Sequence, residues 1–299
     1  MCRPRFLPVF MAMLAFASPR LQAATDDGWS GDGWITAPTT EPLVLTVSIG
    51  VLEGGDSSLG GQLSLPLGDR LVLDLAGSRT RLEDNGGQFD SNDLEAGIRF
   101  RLGDQVRLLA GWRFQGQSDE LEIRQYHIGL AQETGSFDIA LRLHRGSATV
   151  YSRSGLSGFF DIPQRRRSDL GGWSLSLGGN GDDWGWFADW TSLQYDDDLS
   201  ALGRLRLLQL VIEPGALRQT GLLIRDRGRI GYIRYIGQDS WSLGLTQTRN
   251  EVDGERSRDL GLDGQIAWGR NRWLLLGVGY GLDAGQAWSV SIGLQWIGT

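Results

Sequence analysis

The chain of 299 residues contains no lysine; all 29 of its basic residues are arginine. It has one cysteine, Cys2, and two histidines, His127 and His144. A single cysteine excludes an internal disulfide and a thiolate metal cluster. Two imidazoles alone make a weak metal site, so neither a metal nor a cofactor is expected. Long apolar runs are also scarce. Phe6–Ala17 is the longest, and Pro8, Pro19 and Arg20 keep it short. A membrane-spanning helix needs roughly 20 apolar residues. This stretch falls well below that, and nothing downstream exceeds it.

Arg3 and Arg5 precede the apolar stretch, and "LQA" at 21–23 follows it. A basic head, a short apolar run and a small-residue cleavage site make a secretory signal peptide, expected over residues 1–23. Its removal takes away Arg3, Arg5 and Arg20, and the net charge passes from −7 to −10. Nucleic-acid binding relies on phosphate neutralisation, so this acidic balance argues against such a partner.

What the chain does have is glycine and tryptophan, 44 and 12 residues. Glycine is costly inside helices. From residue 42 onward apolar residues recur at every second position, which is the period of a strand. The last stretch shows it plainly: Trp288, Val290, Ile292, Leu294 and Trp296 alternate with Ser289, Ser291, Gly293 and Gln295. Sixteen such segments are expected between 42 and 297. The pattern is weakest over 203–213, 217–226 and 229–237, which leaves counts of twelve or fourteen open.

The connections sort by length. "LGDQ" (102–105), "ETGS" (133–136), "GNGD" (179–182), "GQDS" (237–240) and "GRNR" (269–272) are tight. Alternate links are longer and more polar, at 83–93, 195–203 and 250–257, and the longest is expected at about 149–167. Short turns on one rim and long loops on the other are the arrangement of an outer-membrane barrel. A three-residue turn at Gly103–Gln105 sets Glu95 opposite Arg113. A two-residue turn at Thr134–Gly135 would set His127 opposite Arg142, Gln125 opposite His144 and Ala131 opposite Asp138.

The two rows differ sharply in character. One holds Leu94, Ala96, Ile98 and Phe100, continued by Val106, Leu108, Ala110, Trp112 and Phe114. The other holds Glu95, Arg99, Arg101, Arg107 and Arg113. A packed core could not hold so many charges without a large desolvation cost, whereas a water-filled lumen can. The apolar row then faces lipid, and the sheet must close, because open edges are not tolerated there. The expected fold is an all-β transmembrane antiparallel up-and-down barrel over 42–299, best counted at sixteen strands. Residues 24–41 form a periplasmic lead-in or a plug entering through Trp29 and Trp34. A soluble secreted sandwich or propeller is the alternative, but it would need a second apolar layer that the chain does not provide.

On these features the chain resembles a Gram-negative outer-membrane β-barrel. Trp288, Val290, Ile292, Leu294 and Trp296 are similar to the C-terminal signal read by that family's assembly machinery, although "IGT" follows the last aromatic residue here. The resemblance implies that machinery as a partner, together with outer-membrane lipid and lipopolysaccharide. "GWITAPTTEPL" at 33–43 resembles the Gly-x-Ile-x-x-Pro-Thr segment of barrels associated with exopolysaccharide secretion.

The candidate pore-lining set is Glu95, Arg99, Arg101, Arg107, Arg113, His127, Asp138, Arg142, His144, Asp189 and Asp263. The arginines would form a basic stripe, opposed by the acids and by Asp74. Such stripes set solute selectivity in pores; paired off, they would instead crosslink and plug the lumen. In the longest link, Phe159, Phe160, Arg165, Arg166 and Arg167 are candidates for a loop that narrows the pore or lies on lipopolysaccharide phosphates. "DDDL" at 196–199 is an acidic loop tip. Catalysis by His127 or His144 lacks a nucleophile in register, and no catalytic residue is assigned. The leading expectation is a passive, porin-like channel for small solutes. A non-conducting structural or export-accessory barrel is second, and an outer-membrane hydrolase third. A pore of this size is compatible with a trimer, but no interface signal is visible.

Overall fold

A computed structural model describes residues 41–52, 56–84, 87–118, 120–151, 165–197, 222–283 and 287–298. The signal peptide, most of the lead-in with Trp29 and Trp34, and Phe159 and Phe160 lie outside the described residues. The described chain forms fourteen strands: β1 (Leu43–Leu52), β2 (Ser57–Pro66), β3 (Leu71–Asp84), β4 (Gly87–Arg101), β5 (Val106–Gln117), β6 (Leu121–Glu133), β7 (Phe137–Tyr151), β8 (Arg165–Asn180), β9 (Trp184–Tyr195), β10 (Ile224–Ile236), β11 (Asp239–Asn250), β12 (Arg256–Ala267), β13 (Arg272–Gly281) and β14 (Trp288–Gly298). Each pairs antiparallel with its sequence neighbours, and β14 pairs with β1, so the sheet is a closed up-and-down barrel.

Fourteen replaces the expected sixteen. β9 pairs directly with β10, from Ser192–Asp226 to Trp184–Arg234. The expected strand at 203–213 lies outside the described residues. The expected break between 217–226 and 229–237 is absent, because β10 runs unbroken from Ile224 to Ile236. Its Arg-Gly-Arg centre (227–229) looks like a turn in sequence, but cross-strand partners on both sides hold it extended.

Two expected loops are partly strand. Most of the link placed at 83–93 is strand, since β3 runs to Asp84 and β4 starts at Gly87. Arg79 and Arg81 on β3 both pair with Asp90 on β4, which binds the extended hairpin together. The link placed at 149–167 loses its ends to β7 and β8, so Arg165, Arg166 and Arg167 begin a strand rather than sit in a loop.

The rims keep the expected asymmetry. One carries both ends of the barrel and the tight turns, including the two-residue hairpin Gly237–Gln238, where Gly237 has φ +65°. A positive φ of this kind is what tight hairpins require. The other rim carries the longest links, those between β7 and β8 and between β9 and β10, although its β3–β4 and β5–β6 connections are short. By the usual orientation the first is periplasmic and the second extracellular.

The apolar row points outward. Val290 and Leu294 on β14 are 48% and 51% exposed, and Ile49 on β1 is 56% exposed. Trp288, Ile292 and Trp296 lie on the same face, and equivalent rows continue round the ring. So large a continuous apolar surface is far beyond what a water-soluble monomer presents. It is the lipid-facing belt of a membrane barrel. Trp184, Trp241 and Trp296 edge it at the short-turn rim, where aromatic girdles sit.

Inside the long-loop mouth lies a small apolar core. Leu121 and Ile123 (β6), Ala148 and Val150 (β7), Leu170 (β8) and Leu193 (β9) face inward and pack with Leu222, Leu223 and Val252. This cluster fills one side of the mouth and ties the links before β10 and after β11 to the wall.

Candidate functional site

Below that core the inward row is charged. Arg99 on β4 makes a two-pronged contact with Asp74 on β3, at 2.7 and 3.0 Å. Arg113 on β5 does the same with Asp93 on β4, at 2.9 and 2.5 Å. The basic stripe is thus largely neutralised within its own wall, rather than only by acids across the bore. Fork-to-fork contacts of this kind fix both partners in one geometry.

At the short-turn mouth the stripe has a further partner. The Glu41 carboxylate lies 2.9 Å from Arg99, 3.0 Å from Arg107 and 3.8 Å from Arg101. Arg107 also contacts Glu133 at 2.8 Å. Glu41 precedes β1, whereas Arg99 and Arg107 stand on β4 and β5. With strands about 4.8 Å apart, that is roughly 15–19 Å along the wall. The side chain therefore meets its partners from within the mouth.

The register of β6 and β7 differs from expectation by two residues. His127 faces His144, Ala131 faces Ala140 and Glu133 faces Asp138. The hairpin centres on Gly135–Ser136, closed by the Thr134 amide donating to the Phe137 carbonyl at 2.8 Å. The Thr134 hydroxyl bonds both Phe137 backbone groups and draws the turn one residue onward. A two-residue slide keeps parity, so both histidines still face inward. Their ring centres are 5.9 Å apart.

A nucleophile does stand beside one imidazole. The Ser174 hydroxyl on β8 is 2.9 Å from His144 Nε2. Among the described residues no carboxylate bonds the other ring nitrogen, so the pair lacks the orienting third group of a catalytic triad. Among the described residues, too, no three His, Cys, Asp or Glu side chains are grouped to hold a metal ion.

Glycines make the bore. A Cβ at Gly129 would lie 2.8 Å from Arg142 Cγ, and one at Gly111 would lie 2.5 Å from His127 Cε1. Their absence lets Arg142 and His127 lie against the wall instead of projecting across. Arg142 reaches the Ser176 hydroxyl at 3.4 Å. Three strands further round the ring, Arg229 on β10 stacks over Phe187, 4.6 Å from the ring centre, and lies 3.7 Å from Asp263. Asp189 stands opposite Arg229 in register. Asp138 sits lower, facing Glu133 at the short-turn rim.

Charges from six strands act on one another at mid-lumen. Glu95 feels Arg113 and Arg142, and Arg142 feels Glu95 and Asp189. Arg227 on β10 feels Arg113 on β5, five strands away round the ring, as well as Asp259 on β12 and Asp189 on β9. Charges on strands as far apart as β5 and β10 thus lie within electrostatic reach of one another inside the lumen. Among the described residues neither Arg142 nor Arg227 has a carboxylate in ion-pair contact. Asp93, Glu41, Glu133 and Arg227 were not singled out in sequence. Asp93 carried a signal, since it shares the parity of Glu95 on the same strand; Arg227 had no such neighbour.

The fold defines a closed, lipid-facing β-barrel of the outer-membrane type, with a charged inward row. No protein-family model matches the sequence, and no curated protein is significantly similar to it. Among solved structures the chain is similar to the CymD monoaromatic hydrocarbon channel, at 9% identity, covering 86% of this chain and 88% of that one, with a TM-score of 0.50. It is also similar to a Pseudomonas aeruginosa FadL homologue, at 10% identity over 85% and 90% of the two chains, again with a TM-score of 0.50. At such identities the likeness is one of fold.

Proposed function

We propose that the protein is a passive channel of the Gram-negative outer membrane, delivered by its signal peptide, whose mid-lumen constriction favours small anionic solutes. The observation that carries this reading is the pair Arg142 and Arg227. Both line the bore, and among the described residues neither is neutralised by a contacting carboxylate. Uncompensated charge at a narrowing selects the ions and solutes that pass it. Solutes would cross by diffusion, with no turnover. The two structural neighbours include a channel by name, which agrees with transport, but the charged lumen here supports polar rather than hydrocarbon cargo. Liposome swelling tests the reading. An anionic solute should enter wild-type proteoliposomes several-fold faster than a neutral or cationic one of equal size. Arg142→Ala/Arg227→Ala should erase that preference while leaving neutral flux in place. Equal rates for all three solutes in the wild type would overturn it.

A second reading has its own support. The apolar core at one mouth and Glu41 across the other both narrow the path, which suits a plugged, export-accessory barrel. Swelling at the rate of protein-free liposomes would favour that reading.

A further inference from the structure

The outer wall of β6, β7 and β8 carries a polar hollow toward the long-loop rim. Its outward residues form three rows across the strands: Tyr126, Arg145 and Gly171; then Arg124, Ser147 and Asp169; then Glu122, Thr149 and Arg167. The next row toward the membrane centre is Ile128, Leu143 and Trp173, part of the lipid-facing belt. The hollow has a volume of about 750 Å³.

Small side chains make it concave. Ser147 and Thr149 form the middle column, so Arg124 and Arg167 stand on either side, two strand spacings across and two residues along, roughly 12 Å apart. Arg145 stands at the foot, next to Gly171, where an added Cβ would meet nothing nearer than 4.0 Å. Glu122 is buried and organises the cluster. It accepts from Arg124 at 2.7 Å and from the Tyr151 hydroxyl at 3.2 Å. Arg167 lies 3.3 Å from Asp169. Among the described residues Arg145 has no carboxylate in ion-pair contact. Other outward arginines near this rim are held differently. Arg79 is locked to Asp90. Arg258 donates to Asp283 at 2.7 Å, a bond that keeps the loop carboxyl below the usual carboxylate range.

We propose that this hollow binds the phosphate of a phosphorylated glycolipid in the outer leaflet, with the acyl chains descending over Ile128, Leu143 and Trp173. Arginine forks match phosphate oxygens in pairs, and the two hydroxyls of the middle column add donors. The site begins where the apolar belt ends, at the depth of a lipid headgroup. A free anion would have no use for the apolar row beneath. The proposal rests on the long-loop rim being extracellular and not on conduction.

The test is native mass spectrometry of the folded full chain in detergent, titrated with diphosphoryl lipid A, with its dephosphorylated form, and with inorganic phosphate as competitor. The diphosphoryl lipid should bind as a discrete adduct. Arg124→Ala/Arg145→Ala/Arg167→Ala should weaken it at least tenfold, about 1.4 kcal/mol, and Arg79→Ala/Arg81→Ala should not. The dephosphorylated lipid should bind as weakly as the triple variant shows. Equal binding by wild type and triple variant would overturn the site. Full displacement by millimolar inorganic phosphate would assign it to free phosphate and overturn the lipid. Heat-modified gel mobility checks folding. Should the triple variant not fold, Arg145→Ala alone carries the test, because it breaks no ion pair among the described residues.

Discussion

At the residue scale, the bore depends on what its glycines leave out. A Cβ at Gly129 would stand 2.3 Å from the Leu141 carbonyl oxygen as well as against Arg142. One at Gly61, on the lipid side, would meet the Thr46 carbonyl at an ordinary 3.5 Å. Gly129→Ala should therefore cost about 1–3 kcal/mol, as overpacking does. Gly61→Ala should stay within about 0.5 kcal/mol, as uncrowded surface changes do. Denaturant unfolding in lipid, followed by tryptophan fluorescence, would compare them; equal costs would contradict the crowding. Individual charges were legible to different degrees. Arg99, Arg107 and Arg113 stood out because they alternate with apolar residues. Ser174 did not, because placing it beside His144 needs the β7–β8 register, and the long link between those strands leaves that register undetermined in sequence.

At the element scale, parity was easier to read than register. The β4–β5 hairpin has the expected facing pairs, Glu95 with Arg113, because its three-residue turn is marked by Gly103 and Asp104. The β6–β7 hairpin slid by two residues because the Thr134 side chain, rather than the dipeptide pattern, chose the turn centre. The segment leading into β1 shows a different limit. Glu41 bridges arginines several strands away, and no local pattern announces such a contact. It reaches into the short-turn mouth and offsets the cations there. Glu41→Gln should raise both single-channel conductance and preference for anions, since it removes the negative charge and loosens the span. Unchanged values in planar-bilayer recording would place Glu41 outside the conduction path.

At the scale of the whole molecule, closure followed from alternation. The strand count did not. Arg227-Gly228-Arg229 mimics a turn, and only direct pairing of β9 with β10 shows that the ring closes at fourteen. A wall of fourteen strands, an apolar outer belt and a charged inward row that includes Arg142 and Arg227 set this barrel apart from a packed core. The central claim is that ions cross this bore and that those two arginines choose among them. The most direct test is the zero-current potential of the refolded protein in a planar bilayer under a potassium chloride gradient, beside Arg142→Ala/Arg227→Ala. The account predicts steady conductance with chloride preferred, and a potential that moves toward zero or reverses in the variant. A correctly folded barrel that stays electrically silent, or a potential identical in both proteins, would contradict it.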